Sequence, residues 1–303
     1  MTSTFSLREV AAGVWAAVAP GITGLAVSNA AIIDTGAETI VVDTFMTRIA
    51  ATELREEALR LTGRETTLVV NSHWHSDHVR GNQAFAHAPI IGTDRIRELI
   101  VEDSPSNRAE YDRRAAALRT IGEKLMAEAR SPAEIANAAA TMELVEALEV
   151  EADEYQTVLP NTIIGDRLDI EGERNVTILS YGRGHTESDL FLHLPDDAII
   201  VAGDLVWTGM HPKTKDGYPG EWASVLDQIG ELSPSRIIAG HGPPGTAADV
   251  SAMAMYMREV QTMLIAIQSG DLNPARAPAP GGTADWDGIE RFRSGLSTLA
   301  ARD

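Results

Sequence analysis

The 303-residue chain contains no cysteine. Disulfide bonds and thiolate metal ligands are therefore excluded, so any bound metal must be held by imidazole and carboxylate groups. The sequence also lacks an uninterrupted run of about 18 apolar residues, the length that a membrane-spanning helix needs. We therefore expect a protein without a membrane partner.

Basic residues are scarce, with 25 lysines and arginines against 44 aspartates and glutamates, which gives a net charge of −19. Such a charge repels polyanions, so nucleic acid is not expected as a partner. No basic leader precedes an apolar run near the N-terminus, where Arg8, Glu9 and Pro20 interrupt the apolar residues. This pattern predicts a cytoplasmic protein. The composition, 44% hydrophobic and 23% charged, is typical of a globular chain.

The first third of the chain alternates short β-rich runs with turns. Residues 14–18, 29–33 and 39–43 predict a strand meander, 48–61 a helix, and 66–71 a strand that ends just before His73. The tip at 20–25 suits either a plain turn or a flap over a pocket. Ligand residues are expected where the strand ends, as in many α/β folds.

Residues 104–154 are rich in Ala, Glu and Arg and predict two helices, the second starting at a capping box from Ser131 to Glu134. This helical insertion, at about 104–155, is expected to roof a pocket or to form the face of a homodimer. Strands are predicted at 162–164, 176–180, 190–194, 199–202 and 236–239, and helices at 221–232, 248–268 and 286–301. The predicted organisation is a catalytic domain at 1–270, followed at 271–303 by a linker and a docked C-terminal helix.

The strongest chemical signal is the run His73-Trp74-His75-Ser76-Asp77-His78. It concentrates three imidazoles and one carboxylate on a segment that is expected to be a loop leaving a strand. Structural histidines usually stand alone with one partner, so this density indicates a metal site. Because Asp77 and His78 are adjacent, they are expected to point in different directions and to serve two metal ions.

The run HWHSDH resembles the HxHxDH motif of the metallo-β-lactamase superfamily. Three further segments resemble that family's later motifs in the same order: Gly184-His185-Thr186, Ala202-Gly203-Asp204 and Gly240-His241-Gly242. Each is expected where a predicted strand ends. The resemblance covers roughly residues 10–250 and implies an αβ/βα sandwich of the α/β class, with the helical pair as an insertion.

Carried over position by position, the resemblance implies a first metal ion on His73, His75 and His185. It implies a second ion on Asp77, His78 and His241, with Asp204 bridging the two. The implied cofactors are two divalent ions, zinc first, with manganese or iron as alternatives. Asp77 and Asp204 would also take part in catalysis.

The activity that the resemblance implies is hydrolysis of a small ester, lactone, thioester or β-lactam-like substrate by a metal-bound hydroxide. With an aspartate at position 204, the chain is similar to the glyoxalase II and lactonase branches of the family. The absence of cysteine excludes the β-lactamases that use a cysteine ligand. A mononuclear iron oxygenase similar to persulfide dioxygenases remains the alternative. Elemental analysis and oxygen consumption would distinguish the two.

Other polar residues near these motifs are expected to have supporting roles. Asp43 resembles the family's buried aspartate beneath the metal loop, Trp74 is expected to pack away from the metals, and Asp189 to stabilise its loop. His87 and His193 are expected to be ordinary surface or strand residues. Four residues that follow Asp204 could contact the substrate, and the sequence leaves this open: His211, Lys213, Lys215 and Tyr218.

Overall fold

The computed structural model describes residues 4–302. The first three residues of the predicted range 1–270 and the last residue of 271–303 lie outside the described residues. The chain divides into two compact units, Met1–Ile163 and Ile164–Asp303, here called the N-terminal and C-terminal units. The described residues contain two sheets and eight α-helices. The bounds of the predicted catalytic domain, 1–270, stay a prediction.

The N-terminal unit contains a seven-stranded sheet in the order β1 to β7. The first four strands pair antiparallel and the last four parallel. Their bounds are β1 Ser6–Ala11, β2 Val14–Val18, β3 Ala30–Asp34, β4 Thr39–Val42, β5 Leu68–Val70, β6 Ile90–Gly92 and β7 Thr162–Ile163. Strands β3 and β4 are almost entirely buried, as their apolar sequences require.

Five α-helices belong to the same unit. They are α1 Arg48–Thr62, α2 Ser76–Val79, α3 Asp94–Asp103, α4 Arg108–Glu128 and α5 Pro132–Glu151, and a 3-10 helix spans Arg80–Phe85. Helix α1 buries Leu54 and Ala58 in the core beneath the sheet and ends at Gly63, whose φ of 71° suits a residue without a side chain. The two helices predicted for residues 104–154 are confirmed as α4 and α5, and the predicted capping box at Ser131 is present.

The tip before β3 contacts the insertion. The Thr23 hydroxyl donates a hydrogen bond to Asn137 Oδ1 over 3.1 Å, and Val27 packs with Leu144 and Leu148 of α5. Of the two structures expected for residues 20–25, this one is a turn packed against α5.

The C-terminal unit contains a five-stranded sheet in the order β12-β11-β10-β9-β8. Only the β11–β12 pair is parallel. The elements are β8 Arg167–Ile170, β9 Val176–Leu179, β10 Phe191–Leu194, β11 Ile199–Trp207, α6 Pro219–Glu231, β12 Arg236–His241, α7 Ala247–Gln268 and α8 Ile289–Arg302. Helix α8 contacts α7 and buries Phe292, Leu296 and Leu299.

No helix within residues 4–302 combines the length and the apolar character needed to cross a lipid bilayer.

Candidate metal centre

The first half of the candidate ligands lies in the N-terminal unit, directly after β5. His73 and His75 follow the strand in an extended segment, and His75 is the residue that precedes α2. Asp77 and His78 lie inside that short helix, so the expectation of a loop for all four residues is wrong. The helix forms because the His78 carbonyl accepts a bond from Thr44 N over 2.8 Å, which anchors the turn beside β4. All four side chains are buried.

Asp43 fixes the orientation of two of these histidines. Its Oδ2 lies 2.7 Å from His78 Nδ1 and accepts a 2.7 Å bond from the Ser72 hydroxyl, while its Oδ1 accepts from Ser72 N. The Ser72 oxygen lies 3.0 Å from His73 Nδ1. When both Nδ1 atoms carry the proton, the Nε2 lone pairs of His73 and His78 are available to a metal. The predicted supporting role of Asp43 is confirmed.

The backbone beside Asp43 is strained. Asp43 has a φ of 61° and Phe45 a φ of 67°, in the left-handed region that costs a side-chain-bearing residue roughly 1–2 kcal/mol. Such conformations persist only where the surroundings enforce them, and they cluster at functional sites. Here the left-handed backbone conformation places the Asp43 carboxylate within hydrogen-bonding distance of Ser72 and His78.

The ligand atoms of this half lie close together. His73 Nε2 and His75 Nδ1 are 3.0 Å apart, and His78 Nε2 lies 3.9 Å from Asp77 Oδ2. Two nitrogen ligands of one tetrahedral zinc ion lie about 3.3 Å apart, as bond lengths of about 2.0–2.1 Å require. The spacing of His73 and His75 is therefore compatible with one shared ion.

The second half of the candidate ligands lies in the C-terminal unit, around Asp204. Its Oδ2 lies 3.2 Å from His185 Nε2 and its Oδ1 lies 3.4 Å from His241 Nε2. The two carboxylate oxygens thus face different histidines. All three side chains are at most 3% exposed. A carboxylate placed in this way can donate one oxygen to each of two ions.

Asp204 does not mark a strand end, contrary to the expectation for residues 199–202. Strand β11 continues to Trp207 with all nine residues buried, because Leu205, Val206 and Trp207 extend its apolar surface. Strand β12 likewise extends to His241, which pairs with Trp207. The pairing register shifts on both sides of Gly203, whose φ is 51°. This irregularity breaks the side-chain alternation at Asp204.

Aromatic rings pack against both histidines of this half. The Trp207 ring stacks on His241 with centroids 3.8 Å apart, and the Trp222 ring lies edge-on to His185 at 5.1 Å. Trp222 Nε1 donates to the carbonyl of Leu205 over 3.0 Å, which ties α6 to β11. The packing of Trp207 and Trp222 against these histidines was not predicted from the sequence. A tryptophan three residues after Asp204 was the available signal for Trp207, whereas nothing in the sequence pattern indicated Trp222.

The supporting residues expected from the sequence are largely where they were predicted. Asp189 accepts hydrogen bonds from the backbone and hydroxyl of Thr186, so its loop-stabilising role is confirmed. Burial raises the pKa of Asp189 above its usual range. Trp74 packs edge-on against His75 with centroids 4.3 Å apart, but it is partly exposed and also lines a pocket.

His211 is buried and packs among aromatic rings. Its Nδ1 lies 2.9 Å from the Tyr256 hydroxyl, its ring stacks on Phe292, and its Nε2 has no hydrogen-bond partner within residues 4–302. Burial, followed by the charge of Arg291, lowers the pKa of His211. Its neighbourhood is that of a packed neutral imidazole, which favours a structural role.

The remaining polar residues named from the sequence lie at or near the surface. Lys215 is exposed beside Asp216, and the Tyr218 ring lies beneath the guanidinium of Arg183 at 4.3 Å. His87 is partly exposed, 3.9 Å from a carboxylate oxygen of Glu65, and His193 lies in β10. Lys213 is half-buried.

The donor set fits a divalent transition metal. It consists of buried imidazoles and carboxylates, and these groups fall into clusters whose ligand atoms lie within 4.8 Å of one another, such as Asp77 with His78 and His185 with Asp204. Imidazole and carboxylate together suit zinc, iron and manganese. Buried charges of this kind are costly unless they are paired or coordinate an ion.

The two sheets with their helices, and the histidines that follow β5 and end β12, are the features of a metallo-hydrolase type of α/β fold. The sequence model of the metallo-beta-lactamase superfamily matches residues 23–241, and the chain belongs to this superfamily. The predicted family and fold class are thereby confirmed. Among curated protein sequences, no significant match to the chain is found.

Solved structures support the fold at low sequence identity. The chain is similar to a metallo-beta-lactamase from Pontibacter korlensis, with 15% identity, a TM-score of 0.60, and coverage of 84% of this chain and 99% of that one. It is also similar to one from Hirschia baltica, with 17% identity, a TM-score of 0.57, and coverage of 84% and 97%. A third similar structure is the metallo-beta-lactamase FIM-1 from Pseudomonas aeruginosa in its mono-zinc form. Its sequence identity is 15% and its TM-score 0.60, with coverage of 84% of this chain and 95% of that one. At such identity the likeness shows the fold alone.

Proposed function

We propose that the two halves together hold a pair of divalent metal ions and that the protein hydrolyses small carbonyl substrates. The observation that carries this proposal is the arrangement around Asp204, whose two oxygens face His185 and His241 separately. In the proposed centre, His73, His75 and His185 hold one ion, Asp77, His78 and His241 hold the other, and Asp204 serves both.

The chain's residues have distinct tasks in this proposal. A divalent ion, when bound, lowers the pKa of a coordinated water towards 7 and polarises a carbonyl. Asp43 keeps His73 and His78 in the tautomer and orientation that ligation requires. Asp77 is the carboxylate placed to hold a proton for the leaving group. Trp207 and Trp222 keep His241 and His185 in place and restrict access of water to these rings.

The substrate class follows from charge and ligand type. A net charge of −19 disfavours polyanionic substrates, so esters, lactones and thioesters of small molecules are favoured over nucleic acids. An aspartate at the bridging position, in a chain without cysteine, supports placement near the glyoxalase II and lactonase branches. Zinc is the first choice of metal, because it accepts imidazole and carboxylate in four-coordinate sites.

A hydrolysis panel tests this proposal. Protein loaded with zinc or manganese is assayed with an aryl ester, a lactone, a thioester and a chromogenic cephalosporin. We expect turnover of at least one substrate, loss of that turnover in chelator, and recovery when metal is returned. His185→Ala should abolish turnover, whereas His193→Ala, which replaces a histidine of the same unit outside the proposed centre, should retain it.

Inactivity across the panel in protein that carries two metal equivalents would contradict the hydrolase proposal. Binding of a single iron ion together with oxygen consumption would instead support the oxygenase alternative.

A further inference from the structure

A pocket with a cavity volume of about 170 Å³ lies within the N-terminal unit, between the segment that carries His73 to His78 and the helical insertion. Its wall on one side is formed by Trp74, Ser76 and Val79, which belong to or adjoin α2. On the other side lie Leu118 of α4 and Leu148 of α5. Sites for small molecules are mostly apolar with a few polar groups, and the lining of this pocket has that character.

The interior of the pocket is largely aromatic and aliphatic. Tyr111 and Leu148 are buried, and Tyr111 uses its hydroxyl to donate to the Leu148 carbonyl over 2.6 Å. Tyr155 packs beside Tyr111 with ring centroids 5.4 Å apart. The hydroxyl of Tyr111 is thus already engaged, and its ring is the surface left to a ligand.

Arg80 is the buried charge of the pocket. Its Nη2 donates to Tyr111 Oη and to Glu151 Oε1, each over 2.7 Å, and its Nε donates to the carbonyl of Met46 over 3.2 Å. Its side chain is 9% exposed, and the Tyr155 ring lies 3.9 Å from the guanidinium carbon. Within the described chain, Nη1 makes no hydrogen bond. Nη1, which carries two N–H groups, is therefore the nitrogen of Arg80 that is left to a ligand.

The charges around the pocket are already balanced. Glu151 neutralises Arg80 and lies only 5% exposed. At the rim, Arg114 pairs with Glu110 and lies 3.9 Å from an oxygen of Asp103. An anionic ligand would gain no unpaired cation and would lose its hydration. A neutral apolar ligand with one acceptor oxygen matches both the walls and the donor.

We propose that this pocket binds an uncharged aromatic or aliphatic molecule that presents one carbonyl oxygen to Arg80 Nη1. The ligand packs against Trp74, Leu118 and the Tyr111 ring. All the groups that form this site belong to the N-terminal unit, and none is a proposed metal ligand. Binding therefore does not require metal, and the inference does not depend on the hydrolase proposal.

The test uses the full chain without metal and the uncharged fluorescent probe N-phenyl-1-naphthylamine. We expect saturable binding of the probe and its displacement by 2-acetylnaphthalene. Displacement by 2-ethylnaphthalene, which has the same shape but no acceptor, should need a roughly three- to tenfold higher concentration, the range that one net hydrogen bond gives. The anion 2-naphthoate should be weaker than the ketone.

Two tryptophan substitutions in α4 provide a matched pair. Leu118→Trp fills the pocket and should weaken probe binding at least tenfold, while Ile121→Trp places the same side chain at a position that is 54% exposed and should change it less than twofold. Circular dichroism and the unfolding midpoint confirm that each variant folds. If Leu118→Trp does not fold, the comparison of the two naphthalenes on the parent protein still decides.

Absence of saturable probe binding would overturn the proposal, and so would equal affinity for the acetyl and ethyl compounds. Tighter binding of 2-naphthoate than of the ketone would also overturn it. Loss of hydrolysis in the substrate panel leaves each of these outcomes unchanged, because the binding assay contains no metal.

Discussion

Replacing Asp204 with asparagine is expected to reduce bound metal from two equivalents to one or fewer and to lower turnover roughly 10³-fold. The substitution preserves the size of the side chain but removes the charge between His185 and His241. Metal ions supply several kcal/mol of transition-state stabilisation, which corresponds to this loss in rate. The measurements are elemental analysis of dialysed protein and the rate on the best substrate of the panel.

Asp227→Asn is the control for this experiment. Asp227 is an exposed carboxylate of the same unit that pairs with Arg258, so its replacement should change neither metal content nor turnover. Two full equivalents of metal in Asp204→Asn, with turnover as in the parent, would show that Asp204 bridges nothing.

Gly240→Ala is expected to destabilise the protein and to weaken metal binding at the same time. A Cβ at this position would lie 2.0 Å from Asp204 Oδ1 and 2.7 Å from the carbonyl carbon of Gly203. The Gly203 atom is backbone of the neighbouring strand β11, so movement of the Asp204 carboxylate alone cannot relieve the clash. Overpacking of this kind costs about 1–3 kcal/mol, and the carboxylate must move away from its histidines.

The control is Gly230→Ala, in helix α6 of the same unit. A Cβ there meets nothing within 4 Å, and alanine favours a helix over glycine by up to about 1 kcal/mol. The two variants should therefore shift the free energy of unfolding in opposite directions, as measured by chemical denaturation without metal. A Gly240→Ala protein as stable as the parent, and with undiminished metal affinity, would contradict this account of the close approach of β12 to Asp204.

The candidate ligands between His73 and His78 could be recognised in the sequence because their spacing is local and chemically dense. Three imidazoles and a carboxylate within His73–His78 have few structural explanations, and the helical pair carries its own start signal at Ser131. The positions of Asp204 and His241 within longer strands were not predicted. The register irregularity at Gly203 arises from pairing between β11 and β12, which no local pattern encodes.

Elements that depend on pairing with a neighbour were also missed. Strand β1, Ser6–Ala11, has no buried residue and little apolar alternation, so its backbone pairing with β2 defines it. Strand β8, Arg167–Ile170, alternates charged and apolar residues over only four positions. The Arg80–Glu151 pair joins residues 71 positions apart, and composition gives no sign that they meet. The sequence alone therefore indicated the candidate metal ligands, whereas the pocket lined by Arg80 could be recognised only in the folded structure.

The most direct test of the central claim is a crystal grown with excess zinc and measured for anomalous scattering. The account predicts two peaks about 3.5–4 Å apart, with Asp204 in contact with both and with ligands drawn from the N-terminal and the C-terminal units. Peaks in two unrelated places, or a fully loaded crystal in which Asp204 contacts no metal, would contradict it.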